Sequence, residues 1–340
     1  MKTPPDPFQE TPPDPGSGRD RASADERLDR AVAHRLETAL SGAISKATVR
    51  RLIMAGAVRV DGRPMRRPGM LLAPGARLDV AFDPARLEDD ASRRRASMTV
   101  SAADVLFDDG CLLAVAKPPG IPIHPTADPA RDDFYTAVRR WLASARPSLH
   151  RAEDGLPYLA LHHRLDVDTS GVVLFNTDRA VNARLTELFA AREVQKVYRA
   201  LTGPASGRCP DRWRMESRLA PVGAGRRARV RSVRKGGQVA ATSFTVLERL
   251  AAGLLVEALP ESGRKHQIRA HLAEARLPIL GDPRYGGARR IAGVEIPRVM
   301  LHAARLSLPH PATGRPVSID CPYPADFAAV LRLIRRPLRL

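Results

Sequence analysis

From His162 to Phe175 the chain reads HHRLDVDTSGVVLF, and this segment restricts the possible folds and chemistry more than any other. It sets one carboxylate, Asp166, directly after Arg164 and Leu165, with Asp168 two positions further on. Thr169, Ser170 and Gly171 then supply a turn, and the apolar run from Val172 to Phe175 reads as a buried strand. A lone Arg-Leu-Asp tripeptide would mean no more than a charged loop beside a strand.

At 340 residues the chain exceeds one typical core, so two domains with tails are expected. Its 55 Lys and Arg outweigh 37 Asp and Glu, for a formal charge of +18. That excess favours a polyanionic partner: RNA, DNA or an anionic membrane. No apolar run approaches the roughly 18 residues that span a bilayer. The opening MKTPPDPFQETPPDP has no apolar stretch of the kind a secretory signal needs. Cys111, Cys209 and Cys321 are scattered and odd in number, as free thiols of a reducing cytoplasm would be, with neither a disulfide framework nor metal-ligand spacing. Aromatic residues make up only 4%, which argues against a single-strand binder that stacks many bases. Basic surfaces that hold folded RNA, with one or two aromatics at a reactive base, fit better.

Residues 1–22 are rich in Pro, Asp, Gly and Ser and cannot bury enough apolar surface to order themselves. A first domain is expected over 23–83. Leu28, Val32 and Leu36 predict one helix. Ser45 would cap a second, with Val49, Leu52 and Ile53 inward and Lys46, Arg50 and Arg51 outward. Val58 and Val60 alternate with Arg59 ahead of Asp61-Gly62, a hairpin turn, and Leu78, Val80 and Phe82 would close the sheet. Residues 84–100 lack either periodicity and read as a linker before a larger domain over 101–336, with a basic tip at 337–340. In that domain Asp109-Gly110 predicts a hairpin, apolar stripes predict helices over 134–145 and 178–191, and GAGRRARVRSVRKG (223–236) reads as an exposed basic loop that contacts phosphate. The closing DFAAVLRLIRRPLRL is an amphipathic helix, open between core packing and RNA contact.

HRLDxDTSG resembles the signature of the RluA-type pseudouridine synthases. Four further segments resemble the same family: KPPGIPIHP from Lys117, KVYRAL with Tyr198, ESGRKHQIRAHL from Glu261 followed by PILGDPRYG, and LHAARL with PHPATG. ISKATVRRLIMAGAVRVDGRPM resembles the S4 RNA-binding module. Lys265, where Thr or Ser is commoner, and Val167, where a basic residue often follows the Asp, are small departures. The resemblance implies an α+β fold: a small S4 domain, then a synthase domain whose large, mostly antiparallel central sheet is flanked by helices. It implies RNA contact through Lys46, Arg50, Arg51, Arg59, Arg63, Arg66 and Arg67. The reaction breaks C1′–N1 of uridine and rejoins the base through C5, so no metal or organic cofactor is expected, and a monomer is.

By resemblance Asp166 is the essential carboxylate, acting as nucleophile or as base at C2′. Burial disfavours an ionised carboxylate, and a neighbouring Arg opposes that; the resemblance places Arg264 there. Tyr198 would stack on the flipped uracil or assist proton transfer at C5, Arg164 would fill the gap left in the RNA stack, and Ile268 would form an apolar wall. Asp168 is expected to be structural, capping the turn with Thr169. For Lys117 and His124 a rigid-turn reading is preferred to a chemical one. His162 and His163, as strand neighbours, should face opposite ways and bind no metal, and His266 and His271 diverge on a helix. The expected substrate is uridine in large-subunit ribosomal RNA. Transfer RNA, a non-catalytic S4-type RNA-binding protein and a glycosidase are the rivals, the last needing a carboxylate pair.

Overall fold

A computed structural model describes residues 26–40, 46–81, 98–125, 132–147, 149, 155–205, 207, 209–223 and 229–335. The expectations for the tail over 1–22, the Ser45 cap, Phe82, nearly all of the linker and the tip at 337–340 lie outside these residues. The chain forms two compact units, one N-terminal to Thr99 and one holding nearly everything after it.

In the first unit α1 (Leu28–Leu40) and α2 (Lys46–Ala55) precede β1 (Val58–Val60), β2 (Arg63–Pro64) and β3 (Leu78–Val80). The strands run antiparallel in the order β2-β1-β3. Asp61 and Gly62 link β1 to β2 with φ of 49° and 75°, the paired positive values that a two-residue hairpin turn requires. Leu28, Val32 and Leu36 are fully buried against Val49, Leu52, Ile53, Val58 and Leu78, so the spacing-of-four stripe is the core face of α1. Arg50, Arg63, Arg66 and Arg67 are exposed and Arg59 is half-buried. Lys46 and Arg51 lie on α2.

The second unit is built on an eleven-stranded sheet. Its strands are β4 (Val105–Asp108), β5 (Leu112–Lys117), β6 (Ala160–Leu161), β7 (Ser170–Asn176), β8 (Gln195–Thr202), β9 (Arg212–Val222), β10 (Arg229–Ser232), β11 (Gln238–Leu250) and β12 (Gly253–Pro260). A separate ribbon pairs β13 (Arg290–Ile291) with β14 (Val294–Glu295), and β15 (Leu301–Pro309) and β16 (Pro316–Asp320) complete the sheet. The order is β10-β9-β11-β12-β8-β15-β7-β5-β4, with β16 on β15 and β6 on β7. Every pairing is antiparallel except β15 with β7, where His302 meets Ser170 and Ala303 meets Gly171. Helices α3 (Phe134–Ala145), α4 (Asn182–Ala190), α5 (Gln267–Glu274) and α6 (Ala325–Arg335) accompany the sheet.

Strand β7 is buried at every position, as its unbroken apolar run requires. One expectation is corrected and one open choice is decided. The basic stretch over 223–236 is not all loop: Arg229–Ser232 form the edge strand β10, because Val230 alternates inward between Arg229 and Arg231. The closing helix is a core element, with Phe327, Val330, Leu331 and Ile334 buried.

Candidate active site

Asp166 sits in the loop that enters β7, where its carbonyl accepts from the Thr169 amide at 3.1 Å. Two buried cations fix the backbone that follows it. Lys117, at the end of β5 and 1% exposed, donates to the Val167 carbonyl at 3.0 Å. The Gly120 amide of the same KPPG turn donates to that carbonyl at 2.8 Å, which gives this motif a positional role. Arg298 donates to the Asp168 carbonyl at 3.2 Å and to Ser170 Oγ at 3.1 Å, while Asp326 of α6 holds its Nε at 2.6 Å. The Asp168 carboxylate is exposed and caps nothing among the described residues; the chain is held there through its carbonyl instead.

The cation beside Asp166 is Arg269, not Arg264. Arg269 Nη1 donates to Asp166 Oδ2 at 3.1 Å, and Nε and Nη2 grip Asp282 at 2.7 and 2.9 Å. The Asp282 side chain is wholly buried and the Arg269 side chain only 8% exposed. Burial opposes the Arg269 charge, but hydrogen bonds and attraction from Asp282 and then Asp166 outweigh it and raise its pKa. Arg264 precedes α5, is exposed, and donates through Nε to the Val239 carbonyl at 3.3 Å. GRKHQIR holds two arginines five positions apart. Only the second is on the helix, one turn of which carries it back to the carboxylate.

Arg164, Leu165, Asp166, Tyr198, Arg264, His266, Ile268 and Arg269 line one open cleft. Tyr198 rises from β8, where it pairs across to Ala258 and Ala303. Burial, and then the charge of Asp166, push its hydroxyl well above the ordinary value of 10, so it stays protonated. Ile268 is 6% exposed and forms an apolar wall, whereas Arg164 is exposed at the rim. Behind Arg269 stands Tyr285, its ring 5.2 Å from the guanidinium carbon. Arg269, Asp282 and Tyr285 are not singled out by the sequence, and His266, weighed there only as a metal ligand on a helix, stands just before α5 in a left-handed conformation. The one signal for Asp282 was an acid inside PILGDPRYG that no helix or turn surface explained.

The histidine pair behaves differently from the strand expectation. His162 and His163 follow β6 rather than lying in it, and both rings stack on Phe189, at 5.8 and 5.6 Å. Elsewhere Asp109, Cys111 and His310 bring three donor atoms within 4.8 Å of one another. His310 Nδ1 accepts from the Ala312 and Thr313 amides at 3.2 Å, so its proton sits on Nε2, which lies 2.8 Å from Asp109 Oδ2. A metal on Nε2 would require the proton on Nδ1, so this donor set does not suit an ion.

Residues 112–274 match the family model described as RNA pseudouridylate synthase, and residues 26–78 match the S4 domain. A Neisseria meningitidis protein called ribosomal large subunit pseudouridine synthase D is 32% identical, over 83% of this chain and 73% of its own length. A Pseudomonas aeruginosa protein of the same name is 30% identical, over 84% and 86%. The solved structure of human RNA pseudouridylate synthase domain containing 4 superposes with a TM-score of 0.57 at 25% identity, covering 73% of this chain and 98% of that one. The fold is thus an S4 domain followed by a synthase domain with a large, mostly antiparallel sheet, as the resemblance implied.

Proposed function

The chain belongs to the RNA pseudouridylate synthase family, and on that premise we propose that it isomerises uridine in large-subunit ribosomal RNA with Asp166 as the essential carboxylate. The observation that carries the site assignment is the Asp166–Arg269–Asp282 chain. Arg269 is shared between two carboxylates, with two bonds to Asp282 and one to Asp166, so its single charge does not cancel both. Asp166 keeps one face open to the cleft, its side chain 25% exposed. That suits a group which attacks C1′ or removes the C2′ proton.

Tyr198 serves as a stacking platform for the flipped base. A phenol held protonated by burial is a poor base, which favours stacking over proton removal at C5. Arg164 enters the RNA stack and offsets part of the unstacking cost of a few kcal/mol. Lys46, Arg50 and Arg51 on α2 and Arg59, Arg63, Arg66 and Arg67 on and after the β1-β2 hairpin of the S4 domain supply the phosphate contacts. No helix among the described residues is long and apolar enough to cross a membrane. A monomer acting in the cytoplasm, where ribosomes assemble, completes the proposal.

Two experiments test it. Deleting the gene and mapping pseudouridines by carbodiimide-stop sequencing should remove signals from large-subunit RNA, whereas loss from transfer RNA alone would overturn the substrate. Asp166→Asn should abolish tritium release from 5-³H-uridine RNA with affinity kept within a few-fold. Turnover by that variant would overturn the site.

A further inference from the structure

His266 is the one residue at the rim of the cleft that holds a strained backbone, with φ of 53° immediately before α5. A left-handed conformation is uncommon for a side chain of this size and persists only where its surroundings enforce it. Here the Tyr285 hydroxyl lies 3.1 Å from His266 Nδ1. That hydroxyl is tied in turn to β10, accepting from the Val230 amide at 3.0 Å and lying 3.2 Å from the Val230 carbonyl.

These contacts select a tautomer. The phenol proton goes either to Val230 or to His266 Nδ1. In the first case a bare Nε2 lone pair would face Asp166, whose Oδ2 is 3.8 Å away. In the second case Nε2 carries the proton, and an N–H dipole points toward the carboxylate. Electrostatics favours the second. Burial, opposed by the Asp166 charge and reinforced by Arg269, Arg284 and Lys265, lowers the His266 pKa to about 4, so the ring is a neutral donor at neutral pH. The 3.8 Å gap is too long for a hydrogen bond, and Nε2 makes none among the described residues. Its donor is therefore available to a substrate acceptor about 3 Å from Nε2, beside the atom on which Asp166 acts.

We propose that His266 is a catalytic residue which donates through Nε2–H to the carbonyl oxygens of the departing uracil; the inference rests on the synthase reading above. When C1′–N1 breaks, its electron pair stays on N1 and the charge spreads over O2 and O4. Rotation of the ring about its N3–C6 axis exchanges N1 with C5 and O2 with O4. A donor aimed at O2 before rotation therefore meets O4 after it, and one fixed N–H steadies the anion in both orientations. C5 then bonds to C1′ with the ring's electron pair, which either displaces the Asp166 carboxylate from C1′ or is matched by Asp166 returning the C2′ proton; the C5 proton passes to a base and N1 takes a proton from solvent, so the isomerisation balances. Arg269 is less suited to this role, because three of its five N–H donors, including Nε, hold it in the plane of Asp282 and Asp166.

The test compares wild type, His266→Phe and His266→Gln in single-turnover assays that follow C1′–N1 cleavage as loss of the starting nucleoside, on target RNA carrying uridine or 5-fluorouridine, which has no C5 proton and stops after C1′–C5 bond formation. Losing one such donor lowers the chemical rate roughly 10²–10³-fold. His266→Phe should show that loss with binding within a few-fold, and His266→Gln, which retains an N–H, should recover part of it. Fluorine makes uracil a better anion, so the Phe defect should shrink severalfold on 5-fluorouridine. Wild-type rates for His266→Phe, or equal defects on both substrates, would overturn the donor role. An inactive wild type would instead overturn the synthase reading. Should His266→Phe fail to fold, Tyr285→Phe decides: a defect that shrinks on 5-fluorouridine supports the donor, and one that does not removes it.

Discussion

Asp166 and Arg269 lie 103 residues apart in the chain and 3.1 Å apart in the fold, joined by Nη1 and Oδ2. The same guanidinium closes on Asp282 from the other side, bidentate and out of water. The reactive carboxylate is therefore oriented by a cation whose main anchor is elsewhere, and Asp166 can react without releasing Arg269 from its place.

This division of roles gives opposite outcomes for the two partners. Asp166→Asn should leave the urea unfolding midpoint nearly unchanged. Arg269→Ala strands Asp282 as a buried, unpaired charge and should destabilise the protein by about 3–5 kcal/mol. Urea denaturation followed by circular dichroism measures both. An Arg269→Ala protein as stable as wild type would show that Asp282 finds another partner.

Much of this arrangement was legible in the chain, for identifiable reasons. The stripe Leu28, Val32, Leu36 and the all-apolar β7 follow from periodicity, and Asp61-Gly62 from turn chemistry. The partner of Asp166 was not legible, because two arginines five residues apart look alike until the helix start is known. His266 in the left-handed region sets that start, and nothing local to a histidine announces such a conformation. The basic stretch around Arg229 hid a strand for a related reason: a single buried residue, Val230, carries the alternation.

The two rim arginines should separate kinetically. Arg164→Ala should slow turnover most on structured RNA, where unstacking must be offset, and less on a short unstructured RNA. Arg264 is exposed and bonded to the Val239 carbonyl. Arg264→Ala should therefore raise the RNA concentration needed for half-maximal rate and leave the saturating rate and its pH profile unchanged. Single-turnover rates against RNA concentration and pH check both variants. A shifted pH profile for Arg264→Ala would mean that it acts on Asp166 after all.

Gly171 lies at the only parallel join in the described sheet, with φ of 125°. A Cβ there would come within 2.3 Å of the Ala303 carbonyl oxygen, backbone that cannot swing aside. Gly171→Ala should therefore fail to accumulate as soluble protein, or melt well below wild type, despite adding one methyl group. A normal melting temperature by scanning fluorimetry would show that β7 and β15 can separate at that point.

The last expectation concerns acid. Burial, then the Lys196 charge, lowers His163 from its ordinary 6.5 to about 3. Burial also lowers His302 to about 4. His302 Nε2 meets the Cys321 carbonyl at 3.0 Å and must carry the proton there, so Nδ1 accepts from Ser170 Oγ at 3.0 Å. A second proton on the ring would break that bond and leave Arg298 facing a cation through Ser170. Both folded pKa values lie below the unfolded one, so between pH 6.5 and 4 the unfolded chain binds more protons. Their contribution to stability is thus complete above about pH 6.5 and drains away as pH falls toward 4. Urea midpoints measured from pH 7.5 to 4.5 should decline mainly below pH 6.5. A midpoint that stays level across that range would show that neither ring is held neutral by the fold.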